Sequence, residues 1–287
     1  MGPRRTTELG STGITVSCMG TGTNRWEKGE NDEPVYQTFK ALLESGIYFF
    51  DTAEVYTGGR SERLLGECLR RDGRSVVVAS KYMPYPTRLT KGHFNEALDA
   101  TRGRLGVATL DLYYVHMPPT LTSIESLMDH MAEAVSAGKI RAVGVSNFSA
   151  EQMRKAAAQL EKHNLTLAAN EVEYSLTNRE PEENGVLDTC KEIKASLVAY
   201  RPLSRGLLAA NNARGNPIIL KALEAVAERH GMKTSQIALA WLLQKDPIVI
   251  PIPGATKREH ALENMSALDI VLKEDEFREL NEASKPR

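Results

Sequence analysis

Four residues able to carry protons stand at or just past the ends of apolar runs. Asp51 ends the stretch Gly46-Ile47-Tyr48-Phe49-Phe50, Lys81 ends Ser75-Val76-Val77-Val78-Ala79-Ser80, and His116 ends Leu110-Asp111-Leu112-Tyr113-Tyr114-Val115. Tyr56 follows Asp51 by five residues, in what reads as loop. A carboxylate, a phenol, an ammonium and an imidazole make an acid–base set, and the C-terminal ends of parallel strands are where α/β folds gather their chemistry. Each residue alone has a plainer reading. Asp51 could cap the loop after its strand. Lys81 could be a solvated strand-end lysine, His116 a hydrogen-bonded structural histidine, and Tyr56 one more loop tyrosine. Their joint placement at three successive strand ends is what those plainer readings explain poorly.

For these residues to meet, the runs that carry them must be neighbouring parallel strands. Ile47 to Phe50 is apolar without a break, as in a strand buried on both faces. Strands are expected at about Ser17–Gly22, Ile47–Phe50, Val76–Ser80, Leu110–Val115, Ile140–Val145, Leu167–Asn170, Ser196–Tyr200 and Ile248–Ile252. Helical periodicity fills most gaps, with Ile124, Leu127, Met128, Met131 and Val135 on one face. Thr122 with Glu125, and Ser149 with Gln152, have capping-box spacing. Asn216-Pro217 offers a cap followed by proline at the first helical position. Upstream, Thr6–Leu9 and Ile14–Val16 flank Gly10-Ser11-Thr12-Gly13, which predicts a hairpin. Eight strands alternating with helices, with no linker, predict one domain over residues 1–287. Its class is α/β, a (β/α)8 TIM barrel in preference to a doubly wound sheet.

Composition agrees with this and excludes other roles. The chain has 287 residues, against about 250 for a typical barrel. A net charge of −1 gives no electrostatic case for nucleic acid or a membrane surface. Cys18, Cys68 and Cys190 form no Cys-x-x-Cys, so neither a disulfide framework nor a zinc site is indicated. No second histidine stands at ligand spacing to His116, so no metal is expected. The opening Met1-Gly2-Pro3-Arg4-Arg5 leads into no apolar segment, and a reduced, soluble, cytoplasmic protein is expected.

The sequence resembles the aldo-keto reductase superfamily nearly end to end. The resemblance rests on Leu9-Gly10-Ser11-Thr12-Gly13, Gly20-Thr21-Gly22-Thr23, Asp51-Thr52-Ala53-Glu54-Val55-Tyr56, Ser61-Glu62, Leu65-Gly66, Lys81 and His116. It continues through Gly144-Val145-Ser146-Asn147-Phe148, Glu173-Tyr174-Ser175, Tyr200-Arg201-Pro202-Leu203-Ser204-Arg205-Gly206, Ile252-Pro253-Gly254 and Glu263-Asn264. The resemblance implies an N-terminal β-hairpin capping the bottom of the barrel and a nicotinamide cofactor lying across its top. It also implies reduction of aldehydes and ketones to alcohols. Tyr56 would be the proton donor, with Lys81, Asp51 and His116 completing a tetrad.

The chemistry explains why such types are needed. A free phenol has a pKa of about 10 and is a feeble acid near neutrality. A nearby ammonium stabilises the phenolate and lowers that value; two unit charges 4 Å apart interact by about 4 kcal/mol at an effective dielectric of 20. Asp51 would hold Lys81 charged and in place, and His116 would donate a hydrogen bond to the carbonyl oxygen.

Cofactor contacts are likewise implied by the resemblance. Gly20-Thr21-Gly22 is no Rossmann fingerprint, because Arg25 stands where glycine would be needed. Ser146 and Asn147 would hold the nicotinamide carboxamide, Tyr200 would stack on the ring, and Gly22, Thr23 and Asp51 would lie nearby. Where relatives usually carry a glutamine, Glu171 stands, and an ionised carboxylate accepts hydrogen bonds without donating them. Arg201 replaces a smaller residue beside Pro202; it could reach a phosphate or an acidic substrate, or pair with a neighbouring acid. Leu203, Ser204, Gly206 and Leu207 would follow the pyrophosphate. In Gly254-Ala255-Thr256-Lys257-Arg258-Glu259-His260, the residues Thr256, Lys257 and His260 suit a ribose 2′-phosphate, so NADPH is expected over NADH. Glu263 and Asn264 would hold the adenine.

A small-molecule carbonyl substrate would be walled by Trp26, Tyr82, Met83, Tyr85 and Met117, with Tyr56 and His116 at the floor. Because the chain stops at Ser284-Lys285-Pro286-Arg287, soon after its final helix, an open and permissive pocket is expected. A monomer is favoured. Two other classes fit the barrel: a nicotinamide-binding regulatory subunit with little catalysis, and an aldolase-type enzyme using Lys81 as a Schiff-base lysine. An intact tetrad argues against the first, and Tyr56 has no task in the second.

Overall fold

A computed structural model describes residues 5–26, 32–208 and 216–285. Its strands are β1 (Thr6–Glu8), β2 (Thr15–Ser17), β3 (Thr21–Gly22), β4 (Phe49–Asp51), β5 (Val77–Tyr82), β6 (Leu110–Val115), β7 (Ile140–Ser146), β8 (Leu167–Glu173), β9 (Ser196–Tyr200) and β10 (Val249–Pro251). Strands β3 to β10 pair in sequence order and in parallel, and a parallel bridge from Gly22 to Gly254 joins the two ends. With helices between successive strands, this is the (β/α)8 barrel.

Period-two alternation decides what faces the barrel axis. Phe49, Val77, Ala79, Leu112, Tyr114, Ala142, Val198 and Ile250 pack together inside. Their neighbours Phe50, Val78, Tyr113, Val143 and Leu197 join the outer layer with the helices. Both faces are therefore buried, which is why the runs read as continuously apolar. Gly144 is required by this packing: a Cβ there would lie 2.5 Å from the Tyr114 ring.

The hairpin expected at the N-terminus forms. β1 and β2 pair antiparallel, with Thr7 opposite Val16. Leu9, Ile14 and Val16 join the interior layer, so the hairpin stoppers the barrel below β8 and β9. Gly10 donates its N–H to Ser196 Oγ at 2.8 Å, has a φ of +58°, and would place a Cβ 2.5 Å from the Ala168 carbonyl oxygen. Only glycine meets both demands.

Three expectations need correction. The run Ser17–Gly22 is not one strand: Ser17 ends β2, and Thr21 begins β3 after an intervening bend. β8 extends past Asn170 to Glu173, placing Glu171 within a strand. The Thr122–Glu125 capping box does not form. Ser123 caps instead, accepting from the Ser126 N–H at 3.1 Å, because the helix Ile124–Ser136 starts one residue later than that spacing implies. The Ser149–Gln152 box and the Asn216 cap are both made. Among the described residues, no helix is long and apolar enough to cross a membrane.

Candidate active site

Alternation that puts Phe49, Ala79 and Tyr114 inside puts Asp51, Lys81 and His116 inside one step higher. The same step brings Ser146, Glu171 and Tyr200 inward from β7, β8 and β9. Tyr56 enters from the tight turn Tyr56–Gly59, whose Thr57 and Gly58 have positive φ and swing the chain back towards the rim. The turn is tethered beneath. Thr23 Oγ1 donates to the Asp51 carbonyl at 2.9 Å, and Ser61 Oγ lies 2.7 Å from Thr23 Oγ1 and 3.0 Å from Thr52 Oγ1. Glu62, next in sequence, accepts from Ser80 Oγ at 2.6 Å and from Arg104 at 2.5 Å, fixing the backbone beside Lys81.

Lys81 is the hub. Its Nζ donates to Asp51 Oδ1, to the Thr52 carbonyl at 3.0 Å and to the Tyr56 hydroxyl at 3.3 Å. Glu171 Oε2 stands 3.3 Å away. Lys81 is 0% exposed. Burial opposes its charge, but the Asp51 and then the Glu171 carboxylates outweigh burial and hold it above the ordinary lysine value. The His116 ring meets the Tyr56 ring edge-on at 5.8 Å between centroids.

The phenol departs from expectation. Lys81 does pull its proton affinity down, yet burial pushes harder, and Asp51 and Glu171 push the same way. The net effect lifts the Tyr56 hydroxyl above an ordinary phenol and keeps it fully protonated across the neutral range. Sequence reasoning weighed one ammonium against one phenol. The structure adds desolvation of the partly buried phenol and a second carboxylate.

His116 moves in the opposite direction. Burial, aided by the Lys81 charge, depresses its pKa from 6.5 to about 3, so the ring is neutral at physiological pH. A folded pKa below the unfolded one means this contribution to stability is complete above pH 6.5 and is lost as pH falls towards 3. Resonances of the His116 ring in NMR spectra are therefore expected to stay fixed between pH about 5 and about 8. A titration midpoint near 6.5 would contradict this placement.

One cleft of about 690 Å³ connects these groups to the far side of the barrel mouth. Gly22, Asp51, Tyr56, His116, Met117, Ser146, Asn147, Glu171 and Tyr200 border it, as do Arg201, Pro202, Leu203, Gly206, Gly254, His260, Glu263 and Asn264. Asn147, in a left-handed conformation with φ of 61°, donates to the His116 carbonyl at 3.2 Å and accepts from the Tyr200 hydroxyl at 2.9 Å. Arg201 pairs with Glu173 at 2.7 Å while bordering the cleft.

Other expected contacts lie elsewhere. Trp26 is buried beside Phe50, and its Nε1 donates to the Ala255 carbonyl at 2.8 Å. Tyr82 is buried against Phe94. Met83 and Tyr85 sit on a loop drawn aside by Arg88, which is bound to Glu54 at 2.5 Å. None of the four borders the cleft. Thr23, Ser204, Leu207, Thr256 and Lys257 also lie off its lining; Thr23 and Ser204 are tied into buried hydroxyl contacts. The structure adds Asn24, Arg25, Arg205 and Ser235 to the lining. Arg205 carried a signal that sequence reading passed over, since it lies inside the Ser204–Gly206 segment already singled out.

A barrel rim that gathers a carboxylate, an ammonium, a phenol and an imidazole at one cleft offers acid–base chemistry to a small molecule bound there. The profile of the Aldo/keto reductase family matches residues 18–285, and the chain belongs to that family. It is 31% identical over 309 aligned positions to the chloroplastic pyridoxal reductase of Arabidopsis thaliana, covering 95% of this chain and 84% of that protein. Among solved structures it resembles a thermostable aldo-keto reductase bound to the inhibitor epalrestat, with a TM-score of 0.87, 33% identity and coverage of 97% and 99%. An aldo-keto reductase from Klebsiella pneumoniae in complex with NADPH gives a TM-score of 0.84 at 29% identity, with coverage of 100% and 97%.

Proposed function

We propose that this protein binds NADP(H) in the cleft and reduces aldehydes and ketones to alcohols, with Tyr56 as the proton donor. The observation that carries this reading is the Tyr56 hydroxyl 3.3 Å from the Lys81 ammonium, at the edge of a cleft that also reaches Asn264. The donor set suits a dinucleotide. Ser146 and Asn147 offer amide-compatible partners beside the tetrad, Gly206 and Arg205 offer close backbone approach and positive charge, and His260 is the one of the three residues expected at a 2′-phosphate that borders the cleft. The NADPH complex of the Klebsiella relative supports NADP(H) as the cofactor.

A bound reduced nicotinamide supplies hydride to the carbonyl carbon. The chain's own groups manage the oxygen. Tyr56 gives its proton to that oxygen as negative charge develops, which a hydroxyl protonated at neutral pH is ready to do. Lys81 stabilises the phenolate left behind, and Asp51 keeps Lys81 charged and oriented. His116, being neutral, can hydrogen-bond the carbonyl oxygen without adding net charge. Carbonyl, hydride and proton together balance to the alcohol.

NADPH oxidation measured with a panel of aldehydes and ketones tests the reading, with pyridoxal included because the Arabidopsis relative is a pyridoxal reductase. Turnover of several aldehydes, with NADPH favoured over NADH, is the expected result. Failure to oxidise NADPH with any panel member, despite cofactor binding, would overturn it. Borohydride trapping of substrate on Lys81 would do so in favour of Schiff-base chemistry.

A further inference from the structure

The floor of the cleft holds more acid than base. Asp51 and Glu171 are 1% and 2% exposed, and both face one buried cation. Lys81 donates to Asp51 Oδ1 and stands 3.3 Å from Glu171 Oε2. Asp51 Oδ2 and Glu171 Oε2 are buried without a hydrogen bond. If both acids were ionised, a net negative charge would be shut away from water, with Asp51 Oδ2 lacking a donor and Glu171 Oε2 reached only by an ammonium already shared with Asp51, a state that proteins avoid by taking up a proton. One proton between the two carboxyls removes the excess charge and gives an orphaned oxygen its donor.

Among the described residues, the remaining neighbours offer no substitute. From the other elements, Tyr56, Tyr114 and Tyr200 bear on Glu171, and all three phenols are held above their usual value with burial as the main cause. Ser146 Oγ donates to the Glu171 carbonyl oxygen at 3.0 Å, leaving its side chain unaided. Arg201, past the end of β9, is engaged by Glu173. Glu171 itself borders the cleft, so a proton can leave by that route and a ligand can feel the charge left behind.

We propose that Asp51 and Glu171 share one proton, and that its release turns the cleft floor from neutral to anionic and selects the cationic, oxidised nicotinamide over the neutral, reduced one. The proposal rests on the nicotinamide reading above. Release is a property of the pair: Glu171–H passes its proton to solvent, while Asp51 and Lys81 keep their charges. Burial, then the Asp51 charge, push the Glu171 carboxyl well above the usual carboxylate range, so release comes at higher pH than for an ordinary carboxylic acid. Glu171 thereby acts as a specificity residue for cofactor redox state.

Fluorescence titration of the full chain with NADP+ and with NADPH, from pH about 6 to about 10, tests this below the titration of lysine. The 2′-phosphate is common to both nucleotides and cancels in the affinity ratio. For the native protein, preference for NADP+ over NADPH is expected to rise by about tenfold or more across the range. In Glu171→Gln, which keeps the shape and cannot ionise, the ratio is expected to stay within about twofold. A flat ratio in the native protein, or the same rise in Glu171→Gln, overturns the proposal. Infrared difference spectra between the two proteins give a readout independent of cofactor. A protonated-carboxyl band should be present near neutrality and vanish at alkaline pH, and its absence near neutrality also overturns the shared proton. Failure of either nucleotide to bind at any pH would instead bring down the nicotinamide reading, and the binding half of this proposal with it.

Discussion

Tyr56→Phe is expected to lower kcat for aldehyde reduction by about 10²- to 10⁴-fold, the usual contribution of a positioned general acid. The ring remains and only the hydroxyl is removed. Tyr56 packs edge-on against His116, and that contact survives. The hydroxyl's hydrogen bond comes from Lys81, which retains Asp51 and the Thr52 carbonyl as acceptors. Folding should therefore change little, with the thermal midpoint close to that of the native protein. Cofactor affinity should be nearly unchanged as well, because the lost group meets the substrate oxygen. Steady-state kinetics beside a nucleotide titration separate these effects. Near-native kcat in the variant would sink the assignment of Tyr56 as proton donor.

Lys81→Met should be the most damaging change to stability. It leaves Asp51 buried without its cation, and breaking one side of a buried ion pair typically costs about 3–5 kcal/mol. The sign of its pH dependence follows from the lifted Lys81 value. In the native protein the Lys81 contribution is fully present below the ordinary lysine pKa of 10.5 and is lost as pH rises through the higher folded value. The variant lacks that contribution and holds acids that already resist ionisation because they are buried. Its deficit should be largest near neutral and alkaline pH and shrink as pH falls and Asp51 takes up a proton. Denaturant midpoints for both proteins at pH about 8 and about 5 measure this. A deficit of equal size at both would mean that the lysine matters for its volume rather than its charge.

Much of the site was legible because strand periodicity is rigid. Once the runs ending at Asp51, Lys81 and His116 are adjacent parallel strands, inward alternation fixes which side chains reach the axis. No comparable rule fixes loops. Trp26 and Tyr82 suggested a pocket wall because large aromatic groups suit one, but the same apolar character drove them into the layer between strands and helices. Arg25 offered no pattern to read, since its position at the mouth depends on how the chain turns after β3. The direction of the Tyr56 proton affinity was hidden for a different reason. It depends on a balance between desolvation and three charges, two of which Asp51 and Glu171 supply from separate strands. Glu171 could be flagged as unusual from sequence, but not as lying within ion-pair distance of Lys81.

The docked hairpin has a consequence for how the barrel is assembled. Its anchor points, Ser196 and Ala168, lie well over a hundred residues further along the chain. During synthesis, the segment made early must therefore wait, with Leu9, Ile14 and Val16 uncovered, until β8 and β9 exist to receive it. Sealing the lower end becomes a late, long-range event, and the interior layer stays open to water until it occurs.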